Sequence, residues 1–521
     1  MMLPEAPAKN STSSRLHWRQ PRMSSLAPTP RLLLALVFSL VLQGPAFPAP
    51  PEEEALVEIG SRRELFVDDF LIGKMKGASL RLHPPTPDGD AIAFDKPWEG
   101  RFAGYVTVLK DKKLFRMYYR GLPRSGGDGS TLESTCYAES ADGIDWKKPE
   151  LGIYEIDGSR RNNVVLKNEA PCSHNFSPFI DTNPAAPLQE RYKALAGTSK
   201  TGLVAFVSGD GLHWKRARPK AVISKGAFDS QNVSFWSESE GLYLCYFRTW
   251  DGPTPWSGFR SISRVTSKDF ISWSQPKAMT YSGTPREHLY TNQTHPYFRA
   301  PHIYLSVAAR FMPGRRVLTP AQARAIDVDP GYFSDCSDAV LMSTRGGGVY
   351  QRTFMEAFIR PGTGLENWVS RTNYPALGIV PISKDRLAIH IQKHYGQPGA
   401  KLARYTLRTD GFVSVNGPYT GGEMTTRLLS FQPAGGRDSS SCRLLVNCST
   451  GAAGSLRVEI TDKNGKAFPG YSLEDSREFI GDFIEREVAW KKGPDVKPLA
   501  GKALRLRFVL KDADLYSIRF Q

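Results

Sequence analysis

Ser140-Ala-Asp142-Gly143-Ile-Asp-Trp146 returns as Ser208-Gly-Asp210-Gly211-Leu-His-Trp214 and again as Ser267-Lys-Asp269-Phe270-Ile-Ser-Trp273. Each copy reads Ser-x-Asp-(Gly or Phe)-x-x-Trp, with the serine six residues before the tryptophan. Two looser copies follow: Ser343-Thr-Arg345-Gly346 leading to Tyr350, and Arg408-Thr-Asp410-Gly411-Phe412. The copies start at 140, 208, 267, 343 and 408, which gives spacings of 68, 59, 76 and 65 residues. A fixed period of this size is the signature of a repeat architecture.

The residues around each copy define the unit. Two strand-like runs precede the turn, such as Leu114-Phe-Arg-Met-Tyr-Tyr119 with Thr135-Cys-Tyr-Ala138, and Leu242-Tyr-Leu-Cys-Tyr-Phe247 with Ser261-Ile-Ser-Arg-Val265. A further run opens each unit, as in Tyr105–Leu109, Ser177–Ile180, Val233–Trp236 and Gly378–Ile382. These runs are β-branched or aromatic and are punctuated by Gly, Asp and Pro. Five such four-stranded units predict an all-β, five-bladed β-propeller, in which radial repetition protects sheet edges. The Asp-Gly step suits a tight turn and the Trp suits packing between blades, so the repeated motif reads as structural. After Gly422 the repeat stops. Alternating runs such as Ser455–Ile460 and Leu504–Val509 predict an antiparallel β-sandwich. The expected division is a leader over 1–49, a propeller over 50–420 and a sandwich over 421–521.

Composition agrees with this reading. The 521 residues include 27 Phe, 20 Tyr and 10 Trp, ample apolar area for a folded core, which excludes disorder. Leu32–Leu42 follows Arg31 and is followed by Gly44-Pro45-Ala46 and Pro48-Ala49. That is the pattern of a cleaved export signal, with Met23 as the natural start, and it is too short to span a bilayer. The expected location is therefore secreted or periplasmic, without stable membrane insertion. Residues 1–49 hold five Lys/Arg and one Glu, so their removal lowers the net charge by four, from +16 to +12. The basic residues are dispersed, and no nucleic-acid partner is expected. Six cysteines show neither CxxC nor Cys/His spacing, so neither a zinc site nor any other metal or cofactor is expected.

In a propeller, ligands favour the axial mouth where the innermost strands begin. Segments that reach it contain Trp98-Glu99, His174-Asn175, Asp229-Ser-Gln-Asn232, Glu287 to Gln293 and Arg371-Thr-Asn373. Second strands end there at Arg120, Arg248-Thr-Trp250 and Arg310, and Glu356 and Arg360 return to the same face. Glycosidic bond cleavage needs a proton-donating carboxylic acid and a second carboxylate that attacks or activates water. Glu99, Asp229, Glu287 and Glu356 are the catalytic candidates. Asp68 and Asp69 are outlying ones, reachable if an N-terminal strand closes the ring. Arg120, Arg248, Arg310 and Arg360 can clamp carboxylate or sulfate groups. Trp98 and Trp250 offer stacking faces, and His174 and Asn292 offer polar contacts to a saccharide.

Leu65-Phe-Val-Asp-Asp69, Lys96-Pro-Trp-Glu99, Gly226-Ala-Phe-Asp-Ser-Gln231 and Tyr290-Thr-Asn-Gln293 resemble segments of secreted planctomycete-type bacterial proteins. Those are similar in turn to the five-bladed propeller glycoside hydrolases of the family 32 and 43 clan, with an appended sandwich. The resemblance implies a secreted glycosidase acting on a complex polysaccharide, with Glu99 and Asp229 in two of the clan's three acid positions. His174-Asn175 stands at the third. The strand-end arginines with the net charge of +12 point to an anionic polysaccharide. The Trp-x-Asn-Asp-Pro-Asn and Arg-Asp-Pro patterns of invertase-type members are absent, which argues against fructan cleavage. The alternative reading is a non-catalytic carbohydrate-binding or surface interaction propeller.

Overall fold

A computed structural model describes residues 54–436 and 439–521. The leader expected over 1–49 lies outside the described residues. The fold is all-β, a five-bladed propeller with a C-terminal antiparallel sandwich. Among the described residues, one short α-helix, Pro320–Ala325, interrupts the strands and is capped by Thr319 and Gln322.

Four blades follow the sequence in order. In the first, Gly104–Asp111, Leu114–Gly121, Ser134–Ser140 and Val164–Leu166 run from the axis outward. The second uses Ser177–Ile180, Tyr192–Thr198, Gly202–Ser208 and Lys215–Arg216. The third uses Val233–Ser237, Leu242–Trp250, Arg260–Ser267 and Lys277–Ala278. The fourth pairs Leu289–Thr291 and Thr294–Tyr297 with Ala300–Met312 and then Cys336–Thr344. The fifth is built from both ends of the ring: Pro375–Pro381, Arg386–Lys393 and Lys401–Arg408 are completed by Thr86–Ala93. This outermost N-terminal strand closes the circle and leaves no open seam. On the inside, Leu377 bridges in parallel to Thr107 of the first blade. Gly378 is required there, because a Cβ would overlap the Val108 carbonyl oxygen.

The repeated motif is a hydrogen-bonded turn. Ser140 Oγ donates to Asp142 Oδ1 at 2.8 Å, and that oxygen accepts the N–H groups of Ile144 and Asp145 at 2.8 and 2.9 Å. The second and third copies repeat the geometry around Asp210 and Asp269. Gly211 takes φ +78°, and its carbonyl accepts the Tyr118 hydroxyl of the preceding blade at 2.9 Å. Trp214 packs edge-on against Phe176 and Tyr118, with centroids 4.9 and 6.2 Å apart. The motif therefore joins neighbouring blades.

The looser copies have a different task. Arg345 binds Glu64 and Asp68 at 2.6 and 2.9 Å, and Asp410 accepts from Arg63 and from the Tyr297 hydroxyl at 3.4 and 2.7 Å. Strands within 57–82 pair with strands after residue 412, in two sheets, rather than with a blade. Val57–Gly60 lies beside Leu429–Phe431, Glu64–Leu65 beside Arg505–Phe520, Ile72–Lys76 beside Gly422–Thr426, and Ser79–Leu82 beside Val413–Gly417. The two long strands of that region, Leu444–Thr461 and Arg505–Phe520, alternate buried and accessible residues. Their inward side chains include Leu456, Val458, Leu506 and Phe508, and Phe520 stacks on Phe431 at 3.8 Å. Burying a ring such as Phe520 contributes about 2 kcal/mol.

Candidate functional site

Each blade places one side chain, at or just before the start of its innermost strand, around a single cavity. Tyr105, His174, Asp229, Tyr290 and Arg371 come from blades one to five in turn. Asp128, from the Gly-rich loop between the second and third strands of the first blade, and Ser199, Lys200 and Thr201, from the turn after the second strand of the second blade, add to the polar wall, and the cavity has a volume of about 490 Å³. That size and mixed lining suit a small-molecule ligand.

Asp229 is the one sequence-proposed carboxylate that lines this cavity. Its side chain is 40% exposed and forms an ion pair with Arg248, which is buried. The Tyr105 hydroxyl donates to the Asp229 backbone carbonyl at 3.1 Å. The Arg248 guanidinium also covers the Tyr290 ring, 4.5 Å from its centroid. Burial raises the Tyr290 phenol, but the Arg371 and Arg248 charges reverse this and hold it below its ordinary value. Tyr105 moves the other way, well above its ordinary value, through burial and the neighbouring Tyr290. Two phenols in one cavity thus acquire opposed acidities.

The second cluster surrounds Arg120. Its Nη2 donates to the Phe102 carbonyl and the Tyr395 hydroxyl, both at 2.9 Å. Its Nη1 lies 3.3 Å from Asp128 and 3.7 Å from Glu133. His174 Nδ1–H donates to Glu133 Oε1 at 2.7 Å. Asp128 also faces Arg371 at 3.6 Å. Burial raises the Asp128 carboxyl, and Arg120 and Arg371 more than reverse this, leaving it low. Asp128, Glu133 and His174 bring ligand-type atoms within 4.8 Å of one another. The guanidinium of Arg120, 3.2 Å from His174 Nδ1, already supplies a cation to this group.

The remaining sequence candidates lie elsewhere. Glu99 is fully buried in the wall of the first blade, accepting from Tyr119 and Lys148, both at 2.6 Å, and from the Lys96 N–H at 3.1 Å. Trp98 beside it donates to Asn163 at 2.7 Å. Glu287 is held between Arg310 at 2.8 Å and Arg352 at 2.9 Å, and it borders a different cavity with Arg310 and Arg360. Arg310 is further fixed by Asp338 at 2.6 Å. Glu356 and Arg360 are exposed. Asn292 is buried and bonds to the Thr294 N–H and the Tyr246 carbonyl. Trp250 carries Arg260 on its face, 4.5 Å from the ring centroid. Asp68 is spent on Arg345, where the N-terminal segment meets the fourth blade.

Tyr105, Tyr290, Arg371, Asp128 and Glu133 were not among the sequence candidates. Tyr290 and Arg371 belong to the segments that the strand topology brings to the mouth, so the topological signal was present, and the search for carboxylates passed over them. Asp128 and Glu133 sit on the long connection between Gly121 and Ser134, at the mouth end of two strands. A twelve-residue, Gly-rich connection in that place is itself a signal for a functional loop.

No protein-family model matches this sequence, and no match is found among curated proteins. Among solved structures, the protein is similar to BT0996 in its complex with RGII, at 12% identity over 63% of this protein and 93% of that one, with a TM-score of 0.41. It is similar to an N-acetylgalactosamine deacetylase from F. plautii bound to blood group B trisaccharide, at 10% identity over 64% and 96%, with a TM-score of 0.38. A glycosyl hydrolase from Bacteroides ovatus shows 14% identity over 65% and 95%, with a TM-score of 0.36.

Proposed function

We propose that the protein is an exported glycoside hydrolase that binds an anionic saccharide in the axial cavity and cleaves it with Asp229 as the proton-transferring carboxylate. The observation that carries this reading is the convergence of one polar or ionisable side chain from every blade on one cavity. Such convergence is costly for a ring that only needs packing, since buried polar groups must each find a partner. Arg371 opens onto the cavity and offers a planar fork to a carboxylate or sulfate. Tyr105 and Tyr290 add ring surface and hydroxyls of the kind that orient sugars. Among the described residues, no helix is long and apolar enough to cross a membrane.

A second reading, saccharide binding without cleavage, is favoured by the pairing of Asp229 with Arg248 and of Asp128 with Arg120 and Arg371. Reducing-end release from polygalacturonate, a sulfated galactan and neutral xylan separates the two. Release from a charged polymer supports the hydrolase. Calorimetric binding with no release supports the binding module.

A further inference from the structure

A second cavity lies beside the axial one and is rich in arginine. Arg286, Arg310, Arg315 and Arg360 line it against two carboxylates, Glu287 and Asp338, and its volume is about 790 Å³. Both carboxylates are already committed. Arg310 holds Glu287 at 2.8 Å and Asp338 at 2.6 Å, and the buried Arg352 holds Glu287 at 2.9 Å. Arg286 reaches Asp251 at 3.1 Å. Among the described residues, Arg315 and Arg360 have no ion-pair partner, and both are exposed.

Two separate stretches of chain join this cavity to the axial one. Glu287 borders the second cavity and Tyr290 the axial one, three residues later. Trp368 borders the second cavity and Arg371 the axial one, again three residues later. Three residues of extended chain reach about 10 Å at most, so the two cavities lie close together. Lys200, from the second blade, lines the axial cavity, is exposed and also has no ion-pair partner among the described residues.

We propose that the two cavities hold one polyanionic saccharide chain, with charged units at Lys200 and Arg371 in the axial cavity and at Arg315 and Arg360 in the second. The inference rests on the saccharide reading above. It adds a second anion site and a ligand long enough to reach both.

Charge and shape support it together. Unpaired guanidinium groups beside neutralised carboxylates leave the second cavity with a positive surplus, and a concave wall focuses that charge on an incoming anion. Each guanidinium fork matches the paired oxygens of a carboxylate or sulfate. Trp368 gives the same cavity an aromatic ring. Its indole N–H donates to the Gly362 carbonyl at 3.0 Å, so what it offers a ligand is ring surface, on which a sugar can lie. A single sugar acid would occupy one cavity and leave the cations of the other in water. A neutral chain would give none of them a partner.

The test measures the affinity of a galacturonate hexamer, a sulfated galactan hexamer and xylohexaose at one fixed salt concentration. Affinity is read by calorimetry, or as KM where the chain is cleaved. Wild type is compared with Arg315→Gln/Arg360→Gln and with Lys200→Gln. The control is Arg218→Gln/Lys220→Gln, which removes two positive charges just past the outermost strand of the second blade. All the substituted residues are exposed, and circular dichroism checks the fold.

The expected result is that a charged hexamer binds wild type and that Arg315→Gln/Arg360→Gln weakens it about tenfold or more. Lys200→Gln should weaken the same hexamer about threefold, and the control should stay within about twofold of wild type. Unchanged affinity in Arg315→Gln/Arg360→Gln, or an equal loss in the control, overturns the second site. A loss in Arg315→Gln/Arg360→Gln with none in Lys200→Gln overturns the single chain across both cavities. Tighter binding of xylohexaose than of either charged hexamer overturns the inference and leaves the saccharide reading standing. If wild type binds none of the three, the saccharide reading itself fails and this inference falls with it.

Discussion

The Arg248 guanidinium forms an ion pair with the Asp229 carboxylate, and the arginine side chain is buried. Arg248 ends the second strand of the third blade, while Asp229 precedes the innermost strand of the same blade, so the pair closes one blade at the axial mouth. Because the same guanidinium covers Tyr290, removing it should disturb two groups at once. In Arg248→Gln the Tyr290 phenol loses a stabilising cation and its ionisation moves to higher pH. Ultraviolet titration against Tyr290→Phe reads that shift. An unchanged titration means that Arg371 alone sets the phenol.

Glu99 lies away from the axial cavity, inside the first blade. It is fully buried and holds Lys148 and Tyr119, so Glu99→Gln leaves an ammonium poorly compensated in the wall of the first blade. Breaking such a pair costs about 3 kcal/mol. Chemical denaturation of the variant should show that loss, with an unchanged slope against denaturant. A loss below about 0.5 kcal/mol would mean that Asp95, the second partner of Lys148, takes over the pairing.

Acid should loosen the contact between the N-terminal segment and the fourth blade. Burial raises the Glu64 carboxyl, yet His302 and Arg345 hold it at about 2, against an ordinary 4.5. A depressed carboxylate contributes stability that is complete above its unfolded value and is lost as pH falls through the folded one. The window is therefore pH 4.5 down to about 2. Glu64→Gln should be less stable at neutral pH and flatter across that window, as followed by tryptophan fluorescence. Parallel acid curves for both proteins would remove Glu64 from the account.

All six cysteines are free and buried. Burial pushes the Cys245 and Cys448 thiols up to about 12, so neither is a thiolate near neutrality. A thiol reagent should label none in the native protein and six after unfolding, with or without prior reduction. Fewer than six without reductant would reveal a disulfide that the folded positions do not provide for.

The repeat made the propeller legible, because the Ser-Asp turn is local chemistry. Ser140, Asp142 and the following N–H groups satisfy one another within six residues, and the pattern survives in the sequence. The docking of the N-terminal segment was not legible. Asp68 and Arg345 lie 277 residues apart, and Arg63 and Asp410 lie 347 apart. Only the looseness of those two copies hinted that Arg345 and Asp410 serve something besides the turn. At the mouth, strand topology pointed to segments that line the axial cavity, which contain His174, Asp229, Tyr290 and Arg371. It did not say which way a side chain turns. Glu99 precedes an innermost strand as Asp229 does, yet it points into the blade, because Lys148 and Tyr119 await it there.

The most direct test of the central claim is the rate of reducing-end release by Asp229→Asn on the polymer that wild type cleaves. Removing a proton-transferring group of this kind lowers the rate by about 10²–10⁴-fold. The account predicts a fall in that range with the fold intact by circular dichroism. Release by Asp229→Asn at the wild-type rate would contradict it and would take the site away from the axial cavity.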